Sequence, residues 1–229
     1  MSGCYQHKNI QGAPFQYAGQ LLPVGKVLCV GRNYLDHIQE LGNESSELPL
    51  LFIKPATALV DINEPLLIPT AQGACHNELE LAFLIGNKLT NADEQQCSSA
   101  IAGVGLALDL TLRDLQGQLK SRGHPWERAK AFDASCPISG FVPLNGYQHQ
   151  RFTFSLHLNG ALKQQGDSDL MLHKVVPLLA HISQTFTLMP GDILLTGTPK
   201  GVGPLQSGDT MQVALNDYFE INTHVAGEL

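Results

Sequence analysis

Acidic side chains standing inside apolar segments are the residues of this chain best placed to do chemistry. In His76-Asn77-Glu78-Leu79-Glu80-Leu81-Ala82-Phe83-Leu84-Ile85, a strand would alternate its side chains between two faces. Leu79, Leu81, Phe83 and Ile85 then share one face, and Glu78 and Glu80 share the other. Two carboxylates spaced about 6–7 Å along a strand repel unless a cation lies between them; alone, such a pair also fits the wet side of an edge strand. Asp109 interrupts Val104-Gly105-Leu106-Ala107-Leu108-Asp109-Leu110, whose composition calls for burial, and a buried carboxylate needs a partner. It could cap a helix starting near Thr111 or pair with an arginine. Taken together, three carboxylates on two strands favour a hard divalent cation with oxygen ligands: magnesium, manganese or calcium rather than zinc.

Other polar residues have spacings suited to work beside such an ion. If the chain is helical from Tyr34, His37 and Glu40 lie three apart on one face. A carboxylate against an imidazole orients it and raises its basicity, as a general base for water requires; a plain surface pair has the same spacing. The polar stretch Gly42-Asn43-Glu44-Ser45-Ser46-Glu47 would let that helix move as a lid, spanning residues 31–47. Arg113 and Gln116 share a helical face just beyond Asp109. Lys130, within Ala129-Lys130-Ala131-Phe132, has small and apolar neighbours, unlike Lys120, Arg122 and Arg128, which read as ordinary exposed cations. The glycine-dense run Leu195 to Pro204 could offer backbone N–H groups and the Thr198 hydroxyl to a carboxylate, or simply be a tight turn. It lacks the Walker pattern, and Gly103-x-Gly105 lacks the third glycine of a dinucleotide fingerprint. His76-x-Glu78 has no accompanying P-C-x-x-C of a zinc deaminase. Cys136 stands outside any known nucleophile motif and is expected to be buried and inert.

Composition narrows the classes of function. Over 229 residues, 43% are hydrophobic and 15% charged, enough to fill a core and too apolar for a disordered chain. Lys plus Arg number 14 against 21 Asp plus Glu, a formal net charge of -7, with no basic run. That argues against a nucleic-acid partner. No apolar stretch approaches the roughly 20 residues of a membrane span, and the first residues lack the order of a signal peptide. Five scattered cysteines without a CxxC read as reduced thiols in a cytoplasmic protein.

The elements that must position these groups are mainly strands. Expected strands are 26–30, 50–53, 78–85, 104–110, 193–196 and 211–215, with a hairpin 152–158/161–165 turning at Asn159-Gly160, a type I′ pair. Expected helices are 34–41, 93–102, 111–122 and 172–185. Strands outnumber helices without alternating with them, which disfavours a doubly wound fold. The expected class is α+β and β-rich, a rolled or sandwiched mixed sheet with short flanking helices. Even spread of glycine and proline predicts a single domain over 1–229.

These segments together resemble the short, single-domain branch of the fumarylacetoacetate hydrolase superfamily. The matching pieces are Val30-Gly31-Arg32-Asn33-Tyr34 with His37 and Glu40, Leu51 to Pro55, His76 to Leu81, Ala107 to Thr111 with Arg113-Asp114, Pro125-Trp126 with Ala129 to Asp133, and Leu195 to Gly203. They cover a core of about 26–217 after a short extension, 1–25. The resemblance implies a mixed β-sandwich roll, commonly a homodimer, and Mg2+ or Mn2+ held by Glu78, Glu80 and Asp109. It implies His37 and Glu40 as a dyad on a lid, Lys130 as a catalytic cation, and Arg32, Tyr34, Arg113, Gln116 and Thr198 on the substrate side. Asn77 stands where several relatives carry a second histidine.

The implied reaction begins from a small anionic 2-oxo acid, such as an acylpyruvate, whose enolate the cation stabilises. Attack by water activated at His37 and Glu40 then gives C–C hydrolysis, the leading expectation. Without water, the same chemistry gives oxaloacetate tautomerisation or decarboxylation, or isomerisation of a hydroxymuconate-type diacid. A metal-stabilised interaction module without catalysis is the alternative of another class.

Overall fold

The computed structural model describes residues 5–42 and 47–228. Residues 43–46, most of the proposed lid tether, and Cys4 lie outside the described residues. Among the described residues, no helix is long and apolar enough to cross a membrane.

The chain is an α+β, β-rich roll. One large mixed sheet runs in the order Leu50–Lys54, Val27–Gly31, Ile193–Leu195, Leu79–Ile85, Ile101–Leu108, Cys136–Ile138, Leu59–Asp61, with Val142–Pro143 also pairing to Ile101–Leu108. A five-stranded sheet runs Ala161–Asp167, Thr153–Leu158, Thr210–Leu215, Phe219–Glu228, Leu66–Ile68. A ribbon of three short strands, Thr111–Leu112, Cys75–Asn77 and Gly203–Pro204, completes the part that matters for the site.

Leu79–Ile85 is a central strand, hydrogen-bonded to Ile193–Leu195 and Ile101–Leu108. The alternation is as expected, but neither face is wet. Leu79, Leu81, Phe83 and Ile85 join a core that includes Phe154, Leu156 and Val213 of the five-stranded sheet. Ala82 and Leu84, on the Glu80 face, join a second core with Phe15, Ala102 and Phe141. The N-terminal segment covers that second core, Phe141 donating its N–H to Lys8 O at 2.8 Å.

Most expected elements form, with shifted ends. Helix Glu94–Ala100 starts under a reciprocal cap between Asp93 and Gln96 and stops two residues before the expected end. Ile101 is taken instead by pairing with Ile85, because a long ladder through the core outweighs the local helical preference of one turn. The hairpin turns at Asn159 (φ 51°) and Gly160 (φ 77°), the positive angles a type I′ turn demands. Cys29, Cys75, Cys97 and Cys136 are free and buried; burial pushes the Cys136 thiol up to about 12.

Candidate metal centre and its surroundings

The carboxylates stand where strands leave the large sheet for the ribbon. Glu78 is the one residue between Cys75–Asn77 and Leu79–Ile85, and Asp109 and Leu110 separate Ile101–Leu108 from Thr111–Leu112. The two corners touch, Asp109 donating its N–H to Glu78 O at 2.8 Å. A third segment, following Ile193–Leu195, makes the same crossing toward Gly203–Pro204. Bends of this kind free side chains from the regular pleat and let several converge.

Glu78, Glu80 and Asp109 are 5%, 2% and 1% exposed, and each offers an oxygen within 4.8 Å of the others. Three cations accompany them. Lys130 Nζ donates to Glu78 Oε2 at 2.8 Å, Asp109 Oδ2 at 2.5 Å and Thr111 Oγ1 at 2.6 Å. Arg113 pairs with Glu78 Oε1 and donates to Gln116 Oε1 at 2.7 Å. Lys54, fully buried, lies 2.8 Å from Asp109 Oδ1 and donates to Lys130 O, Ser135 O and Ser135 Oγ. Glu80 Oε2 accepts from Gly197 N at 2.6 Å.

Charge separates the carboxylates. Burial alone would raise Glu78, but Lys130 and Arg113 outweigh it and hold its pKa well below the usual carboxylate range. Glu80 forms no ion pair among the described residues; burial first, then Asp109 and Glu78, push it well above that range against the opposing pull of Lys130. Lys130 would be lowered by burial, yet Asp109 and Glu78 carry it above the ordinary lysine value. The residues suit a hard divalent cation on two counts: their donor set is all oxygen, and Glu80, alone of the three, forms no ion pair among the described residues.

His37 and Glu40 come together on helix Leu35–Glu40, with His37 Nδ1 3.2 Å from Glu40 Oε2. Glu40 Oε1 accepts from Gly201 N at 2.9 Å, and Asp36 pairs with Lys200 at 3.0 Å, so the helix is docked on the 197–201 loop. Arg32, at φ 59°, lines the same cleft as His37, Arg113, Gln116, Lys130 and Thr198.

Three residues sit differently from expectation. Tyr34 is 3% exposed, part of the main core rather than the cleft, and its hydroxyl has no hydrogen-bond partner among the described residues; strand-like backbone ahead of the helix turns it inward. Thr198 lines the cleft, but its hydroxyl donates to Leu79 O at 2.8 Å. The loop does present N–H groups to carboxylates, and these are the protein's own Glu80 and Glu40. Lys120, expected to be ordinary, also lines the cleft, with Nζ 5.9 Å from the Trp126 ring centroid. Lys54 and Gln164 were given no role by sequence. A lysine closing the apolar run Leu50 to Ile53 was the available signal for Lys54; nothing local marks Gln164.

Residues 26–226 match the family described as fumarylacetoacetate (FAA) hydrolase C-terminal, and the chain belongs to this family. It is 54% identical over 216 residues to the oxaloacetate tautomerase YcgM of Escherichia coli (strain K12), covering 93% of this chain and 96% of that protein. The mitochondrial oxaloacetate tautomerase FAHD1 of Bos taurus is 40% identical over 200 residues, 87% of this chain and 90% of that one. A crystal structure of fumarylpyruvate hydrolase from Pseudomonas aeruginosa with Mn2+ and pyruvate superposes with a TM-score of 0.88 at 34% identity, covering 100% of this chain and 98% of that chain. The chain is accordingly an enzyme of the hydrolase and isomerase type within this family.

Proposed function

We propose that this enzyme interconverts the enol and keto forms of oxaloacetate with a divalent cation held by Glu78, Glu80 and Asp109. The 54% identity to the Escherichia coli tautomerase over nearly its whole length carries this reading. Charge around the site supports a dianionic substrate. Three carboxylates meet three cations, Lys54, Lys130 and Arg113, so a divalent ion leaves the cluster with two positive charges in excess. A doubly charged 2-oxo acid neutralises that excess; a singly charged acylpyruvate does so only by half.

A bound cation supplies Lewis acidity toward the carboxylate and 2-oxo oxygens of the substrate. The rest falls to the chain. Glu40 accepts the Nδ1 proton of His37 and leaves Nε2 as the basic nitrogen. His37 takes a proton from the carbon next to the 2-oxo group, and the electron pair of that C–H bond moves toward the oxygen. Lys130, which pairs with both Glu78 and Asp109, steadies the negative charge that develops there. Protonation of that oxygen gives the enol; in the other direction the enol O–H proton is lost and carbon regains one, giving the keto form, so nothing is consumed. Arg113 and Gln116 lie at the cleft wall to hold the substrate's carboxylates.

Hydrolysis of an acylpyruvate is the second reading, favoured by the His37–Glu40 pair, which suits activation of water equally well. Oxaloacetate, acetylpyruvate and a hydroxymuconate-type diacid are to be compared with saturating Mg2+ and Mn2+. Loss of enol absorbance from oxaloacetate is expected to outpace any C–C cleavage; faster release of pyruvate from acetylpyruvate would instead make the enzyme a hydrolase.

Metal affinity is expected to rise with pH. Glu80 is pushed up in the metal-free chain, so its proton must leave when an ion binds, whereas Glu78 is already ionised. One released proton raises the apparent affinity by about tenfold per pH unit until Glu80 ionises unaided. Titration calorimetry with Mn2+ in buffers of different ionisation enthalpy counts that proton, and an affinity independent of pH would remove Glu80 from the ligand set.

A further inference from the structure

Gln164 is fully buried on Ala161–Asp167, an edge strand of the five-stranded sheet. Its amide is used in full. Oε1 accepts from Asn77 Nδ2 and Leu79 N, each at 2.9 Å, the two residues that flank Glu78. Nε2 donates to Thr198 Oγ1 at 2.7 Å and Pro199 O at 2.9 Å. Only an amide offers two donors and two acceptor sites at one end, and asparagine is a methylene too short to keep both arms from the same backbone. The loop lies directly on this strand. Gly201 has φ +101°, and a Cβ there would stand 1.7 Å from Lys163 O.

The pinned loop has two further holds, Gly197 N on Glu80 Oε2 and Gly201 N on Glu40 Oε1. One side chain therefore ties together the corner that carries Glu78, the amide that holds Glu80, and the seat of the helix that carries His37. We propose that Gln164 is a positioning residue that aligns the acidic trio and docks the His37–Glu40 helix through the 197–201 loop. This inference rests on the metal-site reading for its first half only.

The test pairs two readouts on the full chain. Gln164→Glu keeps the length and the acceptors but removes both donors to the loop; Gln164→Asn keeps the amide and loses the reach. Calorimetry is expected to show Mn2+ affinity lowered about tenfold to a hundredfold, the usual effect of losing a group that orients ligands. Hydrogen exchange on metal-free protein is expected to quicken at Gly197, Gly201 and the Leu35–Glu40 amides, while Phe83 and Val104 in the central strands keep their protection. Unchanged Mn2+ affinity together with unchanged loop exchange overturns the proposal. So does exchange that quickens equally in the central strands, or failure of both variants to fold, either of which makes Gln164 part of the framework alone. If the unaltered protein binds no Mn2+, the metal reading fails, and the exchange measurement still decides the role of Gln164.

Discussion

Replacing His37 with alanine is expected to slow enol-to-keto conversion of oxaloacetate by about a thousandfold, within the 10²–10⁴ that a positioned general base contributes. Mn2+ affinity should stay near that of the unaltered protein, because His37 sits on Leu35–Glu40, outside the acidic trio. Ultraviolet absorbance follows the first quantity and calorimetry the second. The residue is 6% exposed, with Nδ1 committed to Glu40, so its removal takes away one basic nitrogen at the cleft wall. A variant that turns over as fast as its parent would assign proton transfer to another group, with Lys130 first in line.

The second large effect falls on stability. Lys54→Met is expected to cost about 3–5 kcal/mol, as removal of one member of a buried ion pair usually does. The ammonium lies at the foot of the site, 2.8 Å from Asp109 Oδ1, and satisfies Lys130 O, Ser135 O and Ser135 Oγ. Methionine fills the volume but takes one donor from each of two carbonyls, which keep Ser135 Oγ and Leu110 N, and leaves Asp109 with Lys130 alone. Urea unfolding of the metal-free protein reads the loss. A change under about 1 kcal/mol, the range of surface pairs, would mean that Asp109 does not depend on Lys54.

What the sequence disclosed follows from the range of the forces involved. Glu78, Glu80 and Asp109 were legible because charge inside an apolar run is expensive wherever the run folds. Arg113 with Gln116, and His37 with Glu40, were legible because three residues of a helix make a fixed short distance. The edge-strand reading of the two glutamates fails on a non-local fact. Leu79–Ile85 lies between strands distant in sequence, Ile193–Leu195 and Ile101–Leu108, and the N-terminal segment helps close the second face.

Lys54 was hidden by its neighbour. Lysine before proline reads as a strand end in solvent, and only the approach of residues 130–135 buries it. Gln164 stands in the polar run Lys163-Gln164-Gln165, with a strand pattern that implies exposure. Its burial comes from a loop more than thirty residues away in sequence, laid across the strand. The short strands Leu59–Asp61, Leu66–Ile68 and Cys136–Ile138 contain too few residues for alternation to register. Tyr34 was misplaced for a related reason. A motif fixes its position along the chain, but the turn at Arg32 decides which side of the backbone it occupies.

The matched charges at the corner bear on how the protein comes to be ready for work. With Lys54, Lys130 and Arg113 already facing Glu78 and Asp109, the polypeptide can complete its architecture before any ion arrives. Loading is then expected to be late and reversible, unlike that of small zinc modules that collapse only around their metal. Chelation should empty such a protein without unravelling it, and the ion it carries should follow whichever suitable one its surroundings supply most freely.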